Sequence, residues 1–310
     1  MRLISIISPC YNEVDNVVAL TDCVRQLFAN HPSYTYEHII IDNDSNDGTV
    51  ELLREIAGKD PNVKVILNAR NFGHIRSPHH AFLEAKGDAV LVLLSDLQDP
   101  PEMLLDFLRE WEAGYPIVVA IKSSSDESGL MYSIRSVYYR TVAQLTDVKV
   151  LEHFTGFGLY DRKVIEILRR DFQDPIPYFR GQIAELGLPY KALFYNQRRR
   201  ARGITKNNFY NLYDMAMLGI TNLSKVPLRL VIFGGFVFAA ISLLAGVGYL
   251  IAKLIFWNQF ELGLAPTMIG LFFLGSVQLV ALGIIGEYIG SIHTMVQKRP
   301  LVTEKERINF

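Results

Sequence analysis

The sequence predicts an α/β domain with a mainly parallel sheet, followed by a membrane anchor of two helices. Three observations predict it. Over residues 1 to about 200, short apolar runs alternate with segments of helical period, the rhythm of an α/β fold. From Leu230 to Ala252 and from Leu262 to Gly286 the chain is uncharged, and each stretch passes the roughly 20 residues needed to cross a bilayer. Basic residues flank the outer ends of this pair, Lys225 and Arg229 before it and Lys298 and Arg299 after it, whereas Lys253 and Glu261 flank the turn. By the positive-inside rule both termini, and everything before residue 225, face the cytoplasm.

The length of 310 residues suits one sizeable core plus an appendage. A net charge of −1 gives no global field for nucleic acid, so any attraction to phosphate must be local. Cys10 and Cys23 lack a zinc-type spacing, which suits a reducing compartment and two small core residues. The N-terminus "MRLISIISP" is too short in apolar residues and too weakly basic to be a signal peptide.

In chain order the strand candidates are "LISIIS", "HIIID", "VKVIL", "DAVLVLL" and "PIVVAI", with helices expected at Val14–Asn30, Val50–Ala57 and Pro78–Lys86. In such sheets the ligand sits beyond the carboxyl ends of the strands. There the chain reads "SPCYNE" (Ser8 to Glu13), "DNDSNDGT" (Asp42 to Thr49), "NARNFGH" (Asn68 to His74) and "SDLQDPPE" (Ser95 to Glu102). All four loops are polar and two are acidic. The chain has neither GxGxxG nor GxxxxGK[ST], so a glycine-lysine phosphate cradle is excluded. Acidic loops facing a nucleotide imply a bridging metal or hydrogen bonds to base and ribose. A plain reading of "NDSNDGT" is a turn and a helix capped by Asp47 or Thr49.

Taken in order, "SPCYNE", "IIDNDSNDGT", "RNFGH", "GDAVLVLLSDLQDPPE", "LYDR", "RRRARGITK" and "GEYIGSIH" resemble the polyisoprenyl-phosphate glycosyltransferases. These GT-A (Rossmann-like) enzymes of glycosyltransferase family 2 include dolichyl-phosphate mannose synthase and the bactoprenol glucosyltransferases. The resemblance covers nearly the whole chain. It implies inverting, metal-dependent transfer of one sugar from a UDP- or GDP-linked donor to a membrane polyprenyl phosphate.

A Mg2+ or Mn2+ ion bridging the donor diphosphate would stabilise the leaving group, and the resemblance assigns Asp96 and Gln98 to it. The family's first acid of this motif falls on Leu94. That departure leaves the metal one carboxylate poorer, with weaker binding or replacement by Asp99 as the alternatives. Asp99 also reads as a helix cap, with Pro100 and Pro101 in the first turn and Glu102 at the helix start. The resemblance places Pro9, Tyr11, Glu13, Asp42, Asn43 and Asn71 at the nucleotide. Asn43 replaces an acid; it can hydrogen-bond but carries no charge.

Aligned on "LYDR", the acceptor-side acid of relatives becomes Gly156 and an arginine becomes Gly158. A hydroxyl acceptor would need a base; a phosphate, mostly dianionic at pH 7, would not. Asp161 could substitute, or cap the following helix. Arg198, Arg199, Arg200, Arg202 and Lys206 form the densest basic group. The resemblance puts Arg198, Arg200, Gly203, Thr205 and Lys206 in a loop over the phosphates. Arg200 and Lys206 are the expected catalytic cations, with Arg198 and Arg202 on the acceptor phosphate; a plain membrane-facing patch is the alternative.

From Asn208 to Leu223 apolar residues recur on one helical face, as in an interfacial helix or an ordinary packing helix. His74, His79 and His80 invite a zinc reading, but adjacent helical residues point about 100° apart. The expected organisation is a catalytic domain over 1–206, an interfacial helix over 207–228, and over 229–310 two spans with a short cytoplasmic tail. Glycines in the spans permit close packing, so a homo-oligomer is an expectation. Two rival functions are transfer to a lipid or glycan hydroxyl and a catalytically degenerate nucleotide-binding membrane module.

Overall fold

The computed structural model describes residues 1–124, 154–197, 217–222, 224–256 and 264–310. The five expected strands form β1 (Arg2–Cys10), β2 (Tyr34–Asp42), β3 (Val63–Asn68), β4 (Ala89–Val92) and β5 (Ile117–Ser124). Between them lie α1 (Val17–Ala29), α2 (Thr49–Lys59), α3 (Gly73–Glu84) and α4 (Met103–Glu112). Then follow β6 (Phe154–Asp161), α5 (Arg162–Asp171), α6 (Phe179–Glu185) and β7 (Tyr190–Asn196). Two long helices, α7 (Val226–Ile255) and α8 (Leu264–Val296), precede a last strand, β8 (Glu304–Ile308).

The eight strands make one sheet in the order β7-β5-β6-β4-β1-β2-β3-β8. The centre is parallel, as expected: β4, β1, β2 and β3 pair in that sense. The whole is mixed, because β6 runs antiparallel to both β4 and β5, and β8 antiparallel to β3. Since β5 therefore runs with β4, and β7 runs parallel to β5, all strands but β6 and β8 end at one edge. The polar loops gather there.

Strand β1 is buried on both faces, and its alternate residues serve two layers. Ile4 and Ile6 pack with Leu20, Val24, Leu104 and Phe107 from α1 and α4. Ile7 points the other way, toward Ala81 and Phe82 of α3, Ile165 of α5 and Ile183 of α6. Each such side chain, at 0–4% exposure, contributes on the order of 2 kcal/mol from water-excluded apolar area. Cys10 joins the core as expected, and burial pushes its thiol pKa well up. The three histidines separate: His79 packs against Phe82 and Phe179, while His80 Nε2 lies 2.5 Å from Glu304 Oε1. No metal-ligand cluster exists among the described residues.

Two buried histidines make stability depend on pH. Burial depresses His38 to about 3 and His79 to about 4, from 6.5. The unfolded chain then binds more protons below pH 6.5, so folding loses stability as pH falls through that value. Lowering the pH from 6.5 to 5 should cost about 2 kcal/mol for each histidine. Denaturant unfolding at the two pH values checks this, and His79→Gln should remove its share of the slope.

Helices α7 and α8 present apolar side chains outward along their length. Leu230, Phe233, Phe236 and Leu244 of α7 are 64–73% exposed, as are Phe272 and Leu279 of α8 at 72%. Both helices are long and apolar enough to cross a membrane. They touch through the edge-to-face pair Phe238 and Phe273, and Tyr288 Oη donates to the Ser224 carbonyl just before α7. Residues 217–222 are helical, in keeping with the expected helix there, whose earlier part lies outside the described residues.

Residues 304–308, read from the sequence as part of a tail, instead complete the sheet as β8. Several bonds fasten it: Arg54 to Glu306 at 2.7 Å, Arg307 to Glu84 at 2.8 Å, and Asn309 Nδ2 to the Ala57 and Val63 carbonyls at 2.8 Å. Arg76, in α3, donates to the carbonyls of Pro300 and Leu301, and Ala69 N donates to Thr303 O. The chain leaving α8 is thus pinned to the carboxyl edge of the sheet, beside the polar loops.

Candidate active site

The β1 and β2 loops hold each other. Asn43 N donates to Cys10 O, Asn12 N to Ser45 Oγ at 2.8 Å, Asn46 N to Asn12 Oδ1 and Glu13 N to Thr49 Oγ1. Asp47 accepts from Thr49 N and, across the loops, from Val14 N, but the N-cap of α2 is Gly48 rather than the expected Asp47 or Thr49. Asn12 (φ 55) and Asp44 (φ 67) adopt the left-handed backbone that Asn and Asp tolerate best. Tyr11 and Glu13 are partly buried at the rim, and the Glu13 carboxylate accepts from Asn16 Nδ2.

Asp42 is buried, and Ser45 holds both of its oxygens through N–H (2.9 Å) and Oγ (2.5 Å). Burial pushes its carboxyl pKa up, and the Ser45 bonds oppose that. Each oxygen keeps a lone pair with which to accept from a base N–H. Asn43 has a different task from the one its position suggested. Its Nδ2 donates to Asn71 Oδ1 and Gly73 O, and its Oδ1 accepts from Asn68 Nδ2 and Phe72 N. An aspartate could not make the two donations, which is the physical reason for Asn43 here. Asn43 and Asn71 together bind the β2 loop to the β3 loop.

At the tip of β4, Ser95 Oγ donates to the Pro9 carbonyl at 2.8 Å and Leu93 N to Ile7 O, so the tips of β4 and β1 are in contact. Gln98 N donates to Asp96 Oδ1, and Leu97 between them has φ 53. A leucine in that region costs on the order of 1 kcal/mol; Asp96 and Gln98 on either side of it are partly exposed.

Asp99 does not cap α4, and its carboxylate is buried. Helix α4 starts at Met103 behind Glu102, with Met103 N and Leu104 N donating to Pro100 and Pro101 carbonyls. Asp99 is 0% exposed; its Oδ1 accepts from Tyr195 Oη at 2.5 Å and from Gln197 Nε2 at 3.5 Å, and Gln197 Oε1 accepts from Lys122 Nζ. Its Oδ2 is buried without a hydrogen-bond partner, and burial raises its pKa. The residue locks the β4 loop to the ends of β5 and β7. Tyr195→Phe keeps the ring against Phe157 but deletes the hydroxyl. It should destabilise by about 1–3 kcal/mol. Unfolding curves check this, and an unchanged midpoint would deny the lock any role.

Gly156 and Gly158 lie in β6. Gly156 has φ +101, its carbonyl accepts from Tyr160 Oη, and a Cβ there would touch the Phe179 ring at 3.7 Å. Asp161, at the far end of the antiparallel β6, is on the opposite edge of the sheet. It caps α5 through Lys163 N and accepts from Trp111 Nε1 at 2.7 Å. It is therefore the cap and not a substitute base. Arg198, Arg199, Arg200, Arg202 and Lys206 lie outside the described residues.

A Rossmann-like sheet whose acidic loops converge at one carboxyl edge defines a nucleotide-using α/β transferase. Residues 5–168 match the family described as "Glycosyl transferase family 2". The chain belongs to that family: it is a glycosyltransferase that takes its sugar from a nucleotide sugar. It is 32% identical over 300 residues to an uncharacterized glycosyltransferase of Synechocystis, covering 96% of this chain and 93% of that one. It is 31% identical over 298 residues to the SfII prophage-derived bactoprenol glucosyl transferase of Shigella flexneri, covering 96% of each. Among solved structures, glucosyl-3-phosphoglycerate synthase from Mycobacterium tuberculosis, in complex with Mn2+, UDP and phosphoglyceric acid, superposes with a TM-score of 0.50. It is 18% identical over 71% of this chain and 76% of that one, a likeness of fold.

Proposed function

We propose that the protein transfers one sugar, by a single inverting displacement, from a UDP- or GDP-sugar to a polyprenyl phosphate in the membrane. The observation that carries this reading is the placement of the acceptor's solvent. The segment leaving α8 is fastened to the carboxyl edge where Asp96, Gln98 and Asp42 lie. A lipid phosphate in the headgroup layer would thus meet the donor at that edge. The naming of relatives as bactoprenol glucosyl transferases supports the same acceptor.

The donor set fits a lean metal site. Asp96 supplies a carboxylate and Gln98 a carbonyl oxygen, while Asp99 is buried and committed to Tyr195. A hard cation such as Mg2+ or Mn2+, which fills its sphere with phosphate oxygens and water, suits so few protein ligands; when bound, it would neutralise charge on the departing nucleoside diphosphate. Pro9, Tyr11, Glu13 and Asp42 border the nucleotide in this reading, with Asn43 and Asn71 as the ties that shape its loop. Arg198, Arg200, Arg202 and Lys206 would meet the acceptor phosphate, Arg200 and Lys206 offsetting repulsion between two anions. With glycine at 156 and Asp161 on the opposite edge, a hydroxyl acceptor has no base in either place, whereas a phosphate dianion needs none.

Strand β8 belongs to the same sheet as β1–β7, so both outer ends of the two spans lie with the catalytic domain. In this reading that side, which carries Lys225, Arg229, Lys298 and Arg299, faces the cytoplasm by the positive-inside rule, and the membrane is a bacterial inner membrane. The test is label transfer into the organic phase from a panel of UDP- and GDP-sugars, with undecaprenyl phosphate and Mg2+ or Mn2+. Transfer from one donor is the expected result. Nucleotide binding without transfer from any donor would favour the non-catalytic module, and transfer only to a dephosphorylated lipid alcohol would overturn the acceptor.

A further inference from the structure

Most described arginines pair with acids. Arg2, Arg25, Arg54, Arg109, Arg162, Arg170 and Arg307 each meet an Asp or Glu. A group at the carboxyl edge departs from this pattern. The Arg70 and Arg76 guanidinium carbons lie 4.0 and 5.3 Å from the centroid of the same Phe72 ring. Arg76 is held in place by the carbonyls of Pro300 and Leu301, at 2.8 Å (Nε to Leu301) and 2.6 Å (to Pro300), which brings in Arg299. The field of Arg70 and Arg299 adds to burial in making Arg76 more acidic than usual, so both charges reach it. Among the described residues, none of the three is in an ion pair.

Like charges brought together by two segments far apart in sequence, with no acid between them, call for an anion from outside the chain. The location says which. Arg299 follows Val296, the last residue of α8, by three positions. With α8 spanning the bilayer, Phe72 and its arginines stand at the level where the helix leaves the hydrocarbon. We propose that Arg70 and Arg76, gathered on Phe72, together with Arg299 beside Arg76, form a docking surface for anionic phospholipid headgroups. Guanidinium matches phosphate oxygens in fork geometry, and the ring sits beside the acyl boundary. Together with the α7 and α8 junctions, this surface holds the domain with its carboxyl edge against the bilayer.

Hydrogen exchange on the full-length protein in nanodiscs tests the proposal without requiring transfer. Discs of phosphatidylcholine are compared with discs in which a third of the lipid is phosphatidylglycerol. In the anionic discs, peptides covering 69–76 and 297–303 should exchange several-fold more slowly, and molar salt should reverse the protection. Arg70→Gln/Arg299→Gln, which leaves the Arg76 bonds intact, should exchange equally in both discs. Equal rates for the unmodified protein would overturn the proposal. So would protection that appears in phosphatidylcholine only on adding polyprenyl phosphate, because the patch would then serve the acceptor.

Discussion

Asp96→Ala should reduce sugar transfer by about a thousandfold or more, equivalent to about 4 kcal/mol of transition-state stabilisation, with the fold intact. The expectation rests on scarcity. At the tip of β4 the usual first acid is Leu94, and Asp99 is withdrawn into the core by Tyr195. In the proposed reading Asp96 is then the carboxylate of that loop that would face a metal-bound diphosphate, with Gln98 beside it. The side chain is partly exposed and accepts from Gln98 N of its own loop, so its removal should shift the unfolding midpoint little. Asp96→Asn keeps an acceptor oxygen but loses the charge, and should fall close to the alanine variant. Label transfer measured across a Mn2+ series, alongside thermal unfolding, separates the outcomes. If Asp96→Ala kept a tenth of the activity at saturating metal, the lean-site reading would fail.

Gly158→Arg, which inserts the residue usual in relatives, should leave little or no folded protein. Gly158 stands mid-strand, opposite Val92 of β4 and Val119 of β5. A Cβ there would come within 2.3 Å of the Val118 carbonyl oxygen and 3.2 Å of Val119 Cα. Both contacts are backbone, so neither strand can yield without breaking the sheet. Even Gly158→Ala should cost about 3 kcal/mol, the upper end of the usual range for overpacked cores. Gly156→Asp should be milder, since its obstacle is a positive φ and an aromatic edge rather than backbone, and it should not raise transfer. Yield, unfolding midpoint and activity of the three variants give the order. A well-folded Gly158→Arg protein would show that β6 can re-register against β5.

The legible part of the fold was the part written in local chemistry. Continuous apolar runs marked β1–β5 because those strands are buried on both faces, and helical period marked α1–α3 to within a few residues at most ends. Strand β6 escaped because "FTGFGLYD" carries two glycines that only its neighbours explain. Strand β8 escaped because "EKERI" alternates charge with charge, and its stability comes from partners such as Arg54 and Glu84. At the site, Asp96, Gln98 and Asp42 were legible as acids or amides directly after buried strands. The tie made by Asn43 and the lock made by Asp99 were not, since each partner lies more than twenty residues away in sequence.

The sequence by itself determined the family, the order of strands and helices in the nucleotide-binding half, the two apolar spans and the acidic loops. These follow from periodicity, residue type and short motifs, all of which act within a few residues. The tertiary structure alone decided that the sheet is mixed, that the last strand returns to it, and which carboxylate of "DLQD" stays at the surface. It also decided that the chain leaving α8 is fastened beside the site. Strand pairing and burial are set by contacts between distant segments. Their free energies depend on which groups meet when the chain closes on itself, and no window of sequence contains both partners.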